Sequence, residues 1–145
     1  MKNRIETATN SFNDGFACSQ SILSAYSEHF GLDRELALKI SDPFGAGMRG
    51  LSETCGAVTG SLMVIGLRYG RIRHNDILAR DKTAERVQEF VEKFKERNGT
   101  IICKKLLGYD ISIPEQNNKA EALGLFKTKC PKFVRDAAEI LEQLV

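Results

Sequence analysis

Apolar residues recur three and four positions apart along most of the chain, which is the period of an amphipathic helix. Glycine and asparagine residues separate these segments at positions typical of helix ends. No run of alternating β-branched and polar residues lies between turn signals, so the pattern predicts no strand. With 145 residues the chain is long enough for one hydrophobic core and short for two. We therefore expect an all-α protein, a single-domain helical bundle of about five to seven helices over residues 1–145.

Capping residues, glycines and prolines set the expected helix bounds. Asp33, Ser52 and Thr100 stand where N-terminal caps are favoured, and Pro43 disfavours helical geometry in the residue before it. The segment 108–128 has the weakest pattern and is expected to be a loop with one helical piece. The predicted helices cover Arg4–Asn13, Ala17–Phe30, a segment from Asp33 to Asp42, Glu53–Tyr69, Asn75–Asn98, Ile101–Leu107, Glu115–Leu123 and the segment from Pro131 to the C-terminus.

Each of the four cysteines falls at the N-terminus of a predicted helix. These residues are Cys18, Cys55, Cys103 and Cys130. Free backbone N–H groups and the positive end of the helix dipole stabilise a thiolate, so we expect each pKa to lie below the usual value of about 8.5. Lysines near the last two cysteines act in the same direction. They are Lys104, Lys105, Lys127, Lys129 and Lys132.

Alternating helix directions predict that the cysteines meet. If neighbouring helices are antiparallel, the helices that begin before Cys18 and Cys55 start at the same end, and the long helix returns the chain to that end before Cys103. Cys130 joins them after the irregular segment. We therefore expect at least three of the four sulfurs to share one site, although no close spacing of cysteines or histidines marks a zinc motif.

Charge and hydropathy limit the kinds of partner that we expect this protein to bind. The 21 Lys and Arg residues nearly balance the 19 Asp and Glu residues, which disfavours a nucleic-acid partner. The longest apolar run, at 61–67, is less than half of the roughly 20 residues that cross a bilayer. The first residues lack the apolar core of a secretory signal. We expect a cytoplasmic protein with reduced thiols and no membrane partner.

The glycine-rich segment Pro43–Leu51 has the Gly-x-Gly-x-x-Gly spacing of a dinucleotide-binding loop. We reject that function because a predicted helix, and not a strand, precedes the segment. Gly45, Gly47 and Gly50 are expected to let the backbone approach another helix or a bound group beside Cys55. Arg49 is the candidate to hold an anion there.

Several motifs occur together along the chain. They are Phe16-Ala-Cys18-Ser-Gln-Ser21, the segment Pro43–Gly50, Glu53-Thr-Cys55-Gly-Ala-Val-Thr-Gly60, Cys103 before Leu106-Leu-Gly108, and Cys130 before the last helix. This combination resembles a family of redox-active proteins named for a Cys, Gly-Cys-Ala-x-x-Gly, Cys, Cys pattern. The order Cys55-Gly56-Ala57 departs from the family name, whereas Gly60 is retained. The resemblance implies a redox role for the cysteines, with no settled substrate or cofactor.

The leading functional hypothesis is a helical thiol redox protein of the thiol–disulfide oxidoreductase type that serves a redox partner or small molecule. Cys55 is the expected nucleophile, because its glycine-rich approach should leave it accessible and its helix start should activate it. Cys18 or Cys103 would then resolve the mixed disulfide. Cys130 completes the expected group of catalytic thiols.

Two alternatives remain open at this stage. Four convergent thiolates form a complete ligand set for zinc or an iron–sulfur cluster, so Cys18, Cys55, Cys103 and Cys130 are candidate metal ligands. In the second alternative the protein is an interaction module and a homo-oligomer. Its apolar helix segment Gly60–Leu67 would pack on a partner, and its cysteines would be structural.

Overall fold

Helices make up nearly all the regular structure of residues 3–145, the part of the chain that the computed structural model describes. Eight right-handed α-helices of five or more residues occur in this part. They are α1 (Arg4–Asn13), α2 (Cys18–Ser27), α3 (Arg34–Ser41), α4 (Gly56–Tyr69), α5 (Ile77–Asn98), α6 (Cys103–Leu107), α7 (Pro114–Ala122) and α8 (Cys130–Leu144). The all-α prediction is confirmed. The number of helices exceeds five to seven because the short helices α6 and α7 both form.

Shorter elements connect several of these helices. The predicted helix Ala17–Phe30 divides into α2 and a 3₁₀ turn at Glu28–Phe30, which ends at Gly31 in the left-handed conformation. A second 3₁₀ turn, Asp42–Phe44, follows α3, and one helical turn at Leu125–Thr128 lies between α7 and α8. Helix α3 begins directly after Asp33, the residue predicted to cap it. The Asp33 carboxylate accepts a hydrogen bond from the Leu36 N–H at 3.1 Å.

Two helices begin later than their capping signals predict, because the residues before them pair with each other. The helix expected from Glu53 begins at Gly56, and the helix expected from Ile101 begins at Cys103. The Cys55 N–H donates to the Ile101 carbonyl at 2.8 Å, and the Cys103 N–H donates to the Glu53 carbonyl at 2.6 Å. Backbone groups that the first helical turns would leave without a partner are satisfied in this way.

Helix α4 forms the centre of the fold and packs against α2, α5 and α8. Its Val58, Val64 and Ile65 side chains are fully buried. Each such side chain contributes roughly 1.5–3 kcal/mol by leaving water. The apolar face of α8 completes this core from the other side. The fully buried residues of α8 are Val134, Ala137, Ala138, Ile140 and Leu141.

The apolar segment Gly60–Leu67, expected to contact a partner, belongs to this core. Ser61, Val64 and Ile65 have no exposed surface, and Leu67 is the most exposed apolar side chain of the segment. Leu62 and Met63 are only partly buried, so the packing of this segment on a partner stays a prediction. None of the helices in residues 3–145 has both the length and the apolar character needed to cross a membrane.

Helices α2 and α4 approach each other closely through glycine. A Cβ atom at Gly60 would lie 2.8 Å from the Ser19 carbonyl oxygen and 3.1 Å from the Ser19 Cα. A Cβ atom at Gly56 would lie 3.0 Å from the Ser19 backbone nitrogen. Since real Cβ atoms rarely approach other atoms so closely, only glycine allows the two helix backbones to meet at these points. The contact brings the N-termini of α2 and α4 together.

A charged cluster joins α5 to α8. Arg97 Nη1 donates to Asp136 Oδ1 at 3.2 Å and to Glu139 Oε1 at 2.7 Å. Lys132 Nζ donates to Asp136 Oδ2 at 2.6 Å and to Asn98 Oδ1 at 2.8 Å. Asp136 is buried, and its two cationic partners compensate for the loss of water around its carboxylate.

We expect Gly60→Ala to lower the free energy of unfolding by about 1–3 kcal/mol, because the added methyl group would collide with the Ser19 backbone. Gly66 provides a matched control on the same helix, with no atom within 4 Å of an added Cβ. Gly66→Ala should raise the free energy of unfolding by about 0.5–1 kcal/mol through helix propensity. Urea unfolding of both variants measures the two effects, and a Gly60→Ala protein as stable as the control would contradict the close contact.

Candidate functional site

A cavity of about 160 Å³ lies where four helices begin, and all four cysteines line it. The rest of its wall is mainly apolar. The other lining residues are Phe12, Ala17, Ala46, Gly47, Arg49, Gly56, Leu106, Leu107, Ile111, Phe126 and Phe133. The helix directions predicted that at least three of the four sulfurs share one site. The structure brings all four cysteines to this cavity.

Each cysteine occupies a helix start, at a slightly different position from the one expected. Cys18, Cys103 and Cys130 are the first residues of α2, α6 and α8, and Cys55 is the residue that precedes α4. Cys18 is partly exposed, whereas the other three are buried. The expectation that Cys55 is accessible is wrong, since only 5% of its surface is exposed and Gly56 packs directly against α2.

The pairing of segments 53–55 and 101–103 places Cys55 and Cys103 on adjacent backbones. Ser52, next to this pairing, is fully buried and has a positive φ of 61°. Its hydroxyl oxygen accepts the Ile111 N–H at 3.2 Å, and its hydrogen bond to Cys103 favours the thiolate form. Ser52 is therefore a partner of a site cysteine, and not the helix cap that its position in the sequence suggests.

Burial determines the acidity of two of the thiols. It raises the pKa of Cys55 to about 12, although the N–H groups of Ala57 and Val58 favour the thiolate. It also raises the pKa of Cys103 to about 11, against the opposing hydrogen bond from Ser52. The prediction of a lowered pKa is therefore wrong for both residues. The loss of water around a buried charge outweighs the stabilisation from a helix N-terminus.

The thiols of Cys18 and Cys130 interact with each other, and this interaction changes their pKa values in opposite directions. Together with burial it raises the pKa of Cys18. Together with the charge of Lys129 it lowers the pKa of Cys130 in spite of burial. The expected decrease is thus wrong for Cys18 and is found for Cys130. Of the four thiols that line the cavity, Cys130 is the one whose thiolate is favoured.

The glycine-rich segment forms a left-handed turn beside the cavity. Ala46, Gly47, Met48 and Arg49 have φ values of 55°, 65°, 72° and 51°, and the Gly50 N–H donates to the Ala46 carbonyl at 3.0 Å. Left-handed geometry costs roughly 1–2 kcal/mol for each residue that has a Cβ. Strain of this size persists only where the surrounding contacts enforce it.

The glycines of this turn allow close contacts within the chain itself. A Cβ atom at Gly45 would lie 2.5 Å from the Ala17 Cβ, and one at Gly47 would lie 2.8 Å from the Cys103 Cβ. A Cβ atom at Gly50 would have no other atom within 4 Å, but the φ of 90° at this position favours glycine. Arg49 lines the cavity, and most of its side chain is exposed. Its Nη1 atom lies 3.8 Å from Asp42 Oδ1.

Within residues 3–145, no three or more His, Cys, Asp and Glu side chains are arranged to hold a metal ion. The four cysteines share one cavity without forming such a ligand group.

Comparison with known families agrees with this arrangement of cysteines. Residues 16–144 match the sequence profile of a family described as "Putative redox-active protein (C_GCAxxG_C_C)". The chain belongs to this family. The matched residues include all four cysteines and the left-handed turn, so the family assignment covers every residue that lines the cavity except Phe12. Neither the curated proteins nor the solved structures contain a match to this chain.

We expect Ala46→Gly to raise the free energy of unfolding by about 1 kcal/mol, because glycine adopts the left-handed conformation without a steric penalty. Ala84 is the matched control, since it is exposed in the middle of α5. Ala84→Gly should lower the free energy of unfolding by about 1 kcal/mol through helix propensity. Thermal or urea unfolding gives both values, and destabilisation by Ala46→Gly would contradict the proposed strain.

The stability of the reduced protein should decrease in alkaline solution. The folded protein keeps protons on Cys55 and Cys103 up to pH values near 12 and 11, whereas ordinary thiols lose theirs near 9. The stabilisation is therefore complete below pH 9 and is lost as the pH rises. We expect the free energy of unfolding to fall between pH 9 and 11 by about 1 kcal/mol per pH unit for each of these thiols.

Urea unfolding at a series of pH values, with a reductant present, measures this slope. Cys55→Ala should reduce the slope by the contribution of one thiol, whatever it does to the stability at pH 7. An unchanged slope in Cys55→Ala would show that Cys55 ionises normally in the folded protein.

Proposed function

We propose that this protein carries out thiol–disulfide exchange, with Cys130 as the attacking thiolate and Cys18 as the resolving thiol. The observation that carries the proposal is the single cavity that all four cysteines line, in which the Cys18 and Cys130 thiols interact with each other. A thiolate is the attacking species in disulfide exchange, and a neighbouring thiol completes the reaction. Membership of a redox-active family supports the same class of chemistry.

The reaction proceeds in two balanced steps. The Cys130 thiolate attacks one sulfur of a substrate disulfide, which forms a mixed disulfide and releases the other substrate sulfur as a thiolate that takes a proton from water. Cys18 then loses its proton to water and attacks the Cys130 sulfur, which forms the Cys18–Cys130 disulfide, breaks the mixed disulfide and releases the second substrate sulfur as a thiolate that takes a proton from water. Two protein thiols are oxidised and one substrate disulfide is reduced. A dithiol partner returns the protein to its reduced form by the reverse exchange.

Cys55 and Cys103 have a different role in this proposal. Their raised pKa values keep them neutral, and the charge of a Cys130 thiolate is one cause of the increase in both. Like charges in one poorly hydrated cavity repel each other, so the cavity accommodates one thiolate at a time. Cys55 and Cys103 thus remain neutral thiols in the same cavity as the reactive pair. Cys55 is not the nucleophile in this mechanism.

Cysteine variants distinguish these roles. Reduced protein treated with a small disulfide should form a Cys18–Cys130 disulfide, detected by mass spectrometry of proteolytic fragments. Cys130→Ser should abolish this product, and Cys18→Ser should accumulate a mixed disulfide on Cys130. Cys55→Ser is the matched control in the same cavity and should retain the Cys18–Cys130 product. Iodoacetamide should alkylate Cys130 at a pH below the usual thiol range of about 8.5.

Two outcomes would overturn the proposal. One is a Cys130→Ser protein that forms an intramolecular disulfide as fast as the unmodified chain. The other is one equivalent of zinc or iron in protein purified without air, with loss of the metal in each single cysteine variant, since the thiols would then be ligands.

A further inference from the structure

The thiol that attacks first in the proposed exchange is enclosed by the protein. Cys130 has only 8% of its surface exposed, and it lines the cavity that it shares with the other three cysteines, which we call the thiol cavity. A disulfide must therefore enter the thiol cavity before the Cys130 sulfur can attack it. The size of this cavity and the chemistry of its wall then determine which disulfides react.

The thiol cavity has room for a small molecule only. Its volume of about 160 Å³ is close to that of a core cavity of about 150 Å³ that binds benzene in another protein. Short dialkyl disulfides are near this size, since diethyl disulfide has as many non-hydrogen atoms as benzene. A disulfide-linked peptide is too large to enter.

The wall of the thiol cavity favours an uncharged ligand. Aromatic and aliphatic side chains form most of it, and neutral buried thiols behave as small apolar groups. Arg49 is the one charged residue of this wall in residues 3–145, and its side chain is 65% exposed beside the Asp42 carboxylate. The Cys130 thiolate is no lasting counter-ion, because its charge passes to the leaving sulfur. A charged substrate would therefore lose water without gaining a partner inside the cavity.

We propose that the thiol cavity selects small, uncharged, apolar disulfides as the substrates of the exchange. The inference rests on the proposed exchange function and adds the substrate class to it. The bond changes are those of the two steps given above, so Cys18 and Cys130 are oxidised to a disulfide and the substrate is reduced to two small thiols. Alkyl groups of the substrate would contact Leu106, Leu107 and Ile111, which line the cavity.

Two aromatic side chains separate the thiol cavity from a larger hollow of about 520 Å³. Phe12, near the end of α1, and Phe126, in the helical turn Leu125–Thr128, line both spaces. The other residues of the hollow are Asn13, Gly15, Phe16 and Lys127. Loss of the Phe126 ring would join the two spaces and bring water closer to the thiols. Phe126 is therefore a specificity-determining residue in this proposal.

Four probe disulfides of similar skeleton test the selectivity. Dipropyl disulfide and 2-hydroxyethyl disulfide are uncharged, whereas cystamine is cationic and 3,3′-dithiodipropionate is anionic at pH 7. The rate at which each probe forms the Cys18–Cys130 disulfide, followed by mass spectrometry, is divided by its rate with N-acetylcysteine amide. This division removes the intrinsic reactivity of the probe. The normalised rate should be at least about 10-fold higher for dipropyl disulfide than for either charged probe, with 2-hydroxyethyl disulfide between them.

Phe126→Ala should lower the preference for dipropyl disulfide over cystamine by roughly 10-fold, because charged groups would keep more of their water in the opened cavity. Phe126→Leu keeps an apolar side chain and should lower the preference less, which provides a second variant if the alanine variant unfolds. The matched control is Phe30→Ala. Phe30 is also partly buried against the core but lines neither space, so this variant should keep the original preference.

An unreactive ligand tests occupancy of the cavity without exchange. Diethyl sulfide has no sulfur–sulfur bond, and it should raise the midpoint of thermal unfolding of the reduced protein, because a ligand that binds the folded state stabilises it. Tetramethylammonium has the same number of non-hydrogen atoms and a positive charge, so it should leave the midpoint unchanged.

The two sets of measurements separate this inference from the exchange function. If none of the four probes forms the Cys18–Cys130 disulfide, the exchange function itself is overturned, and the substrate class with it. If the probes oxidise the pair, but a charged probe reacts as fast as dipropyl disulfide after normalisation or diethyl sulfide fails to stabilise the protein, only the substrate class is overturned. A preference that Phe126→Ala leaves unchanged overturns the role of Phe126.

Discussion

The contact between α2 and α4 sets the geometry on which the thiol cavity depends. At Gly60 the α4 backbone lies against Ser19, the residue after Cys18, and Gly56 in the same contact follows Cys55. A side chain at either glycine would separate the two helix starts and the two sulfurs with them. Ser19 also donates to the Ser41 carbonyl at 2.7 Å, which fixes the end of α3 just before the left-handed turn. The cavity is thus a product of backbone packing more than of side-chain attraction.

The packing that gathers the sulfurs also works against their ionisation. A helix start favours a thiolate through its N–H groups, but removal from water disfavours the same thiolate, and for Cys55 and Cys103 the second effect is larger. Cys130 differs because its interaction with the Cys18 thiol and the charge of Lys129 both favour its thiolate. The acidity of the thiols in this cavity therefore depends on their neighbours as well as on their exposure.

The elements that local pattern controls could be predicted from the sequence, and those that need contacts between distant residues could not. Helical periodicity and caps located α1 and α3 well, and antiparallel packing brought the cysteines together. The later start of α4 could not be foreseen, because it depends on pairing with residues near Ile101, about 45 positions away. The burial that reverses the pKa shift of Cys55 likewise arises only after several helices pack. The spaced glycines at 45, 47 and 50 were a signal of unusual backbone, but the left-handed conformation of Ala46 and Met48 has no signature in their residue types.

The position of Cys18 and Cys130 near opposite ends of the chain has a consequence for the order of folding. The two thiols meet in the cavity only after α8 has docked on α1 and α2, which are made first during synthesis. Until then every cysteine is an ordinary solvated thiol, and no position is more reactive than another. Completion of the fold therefore gathers the four thiols in one cavity and at the same moment withdraws Cys55, Cys103 and Cys130 from solvent. An incompletely synthesised chain has neither this cavity nor the protection that burial gives to these thiols.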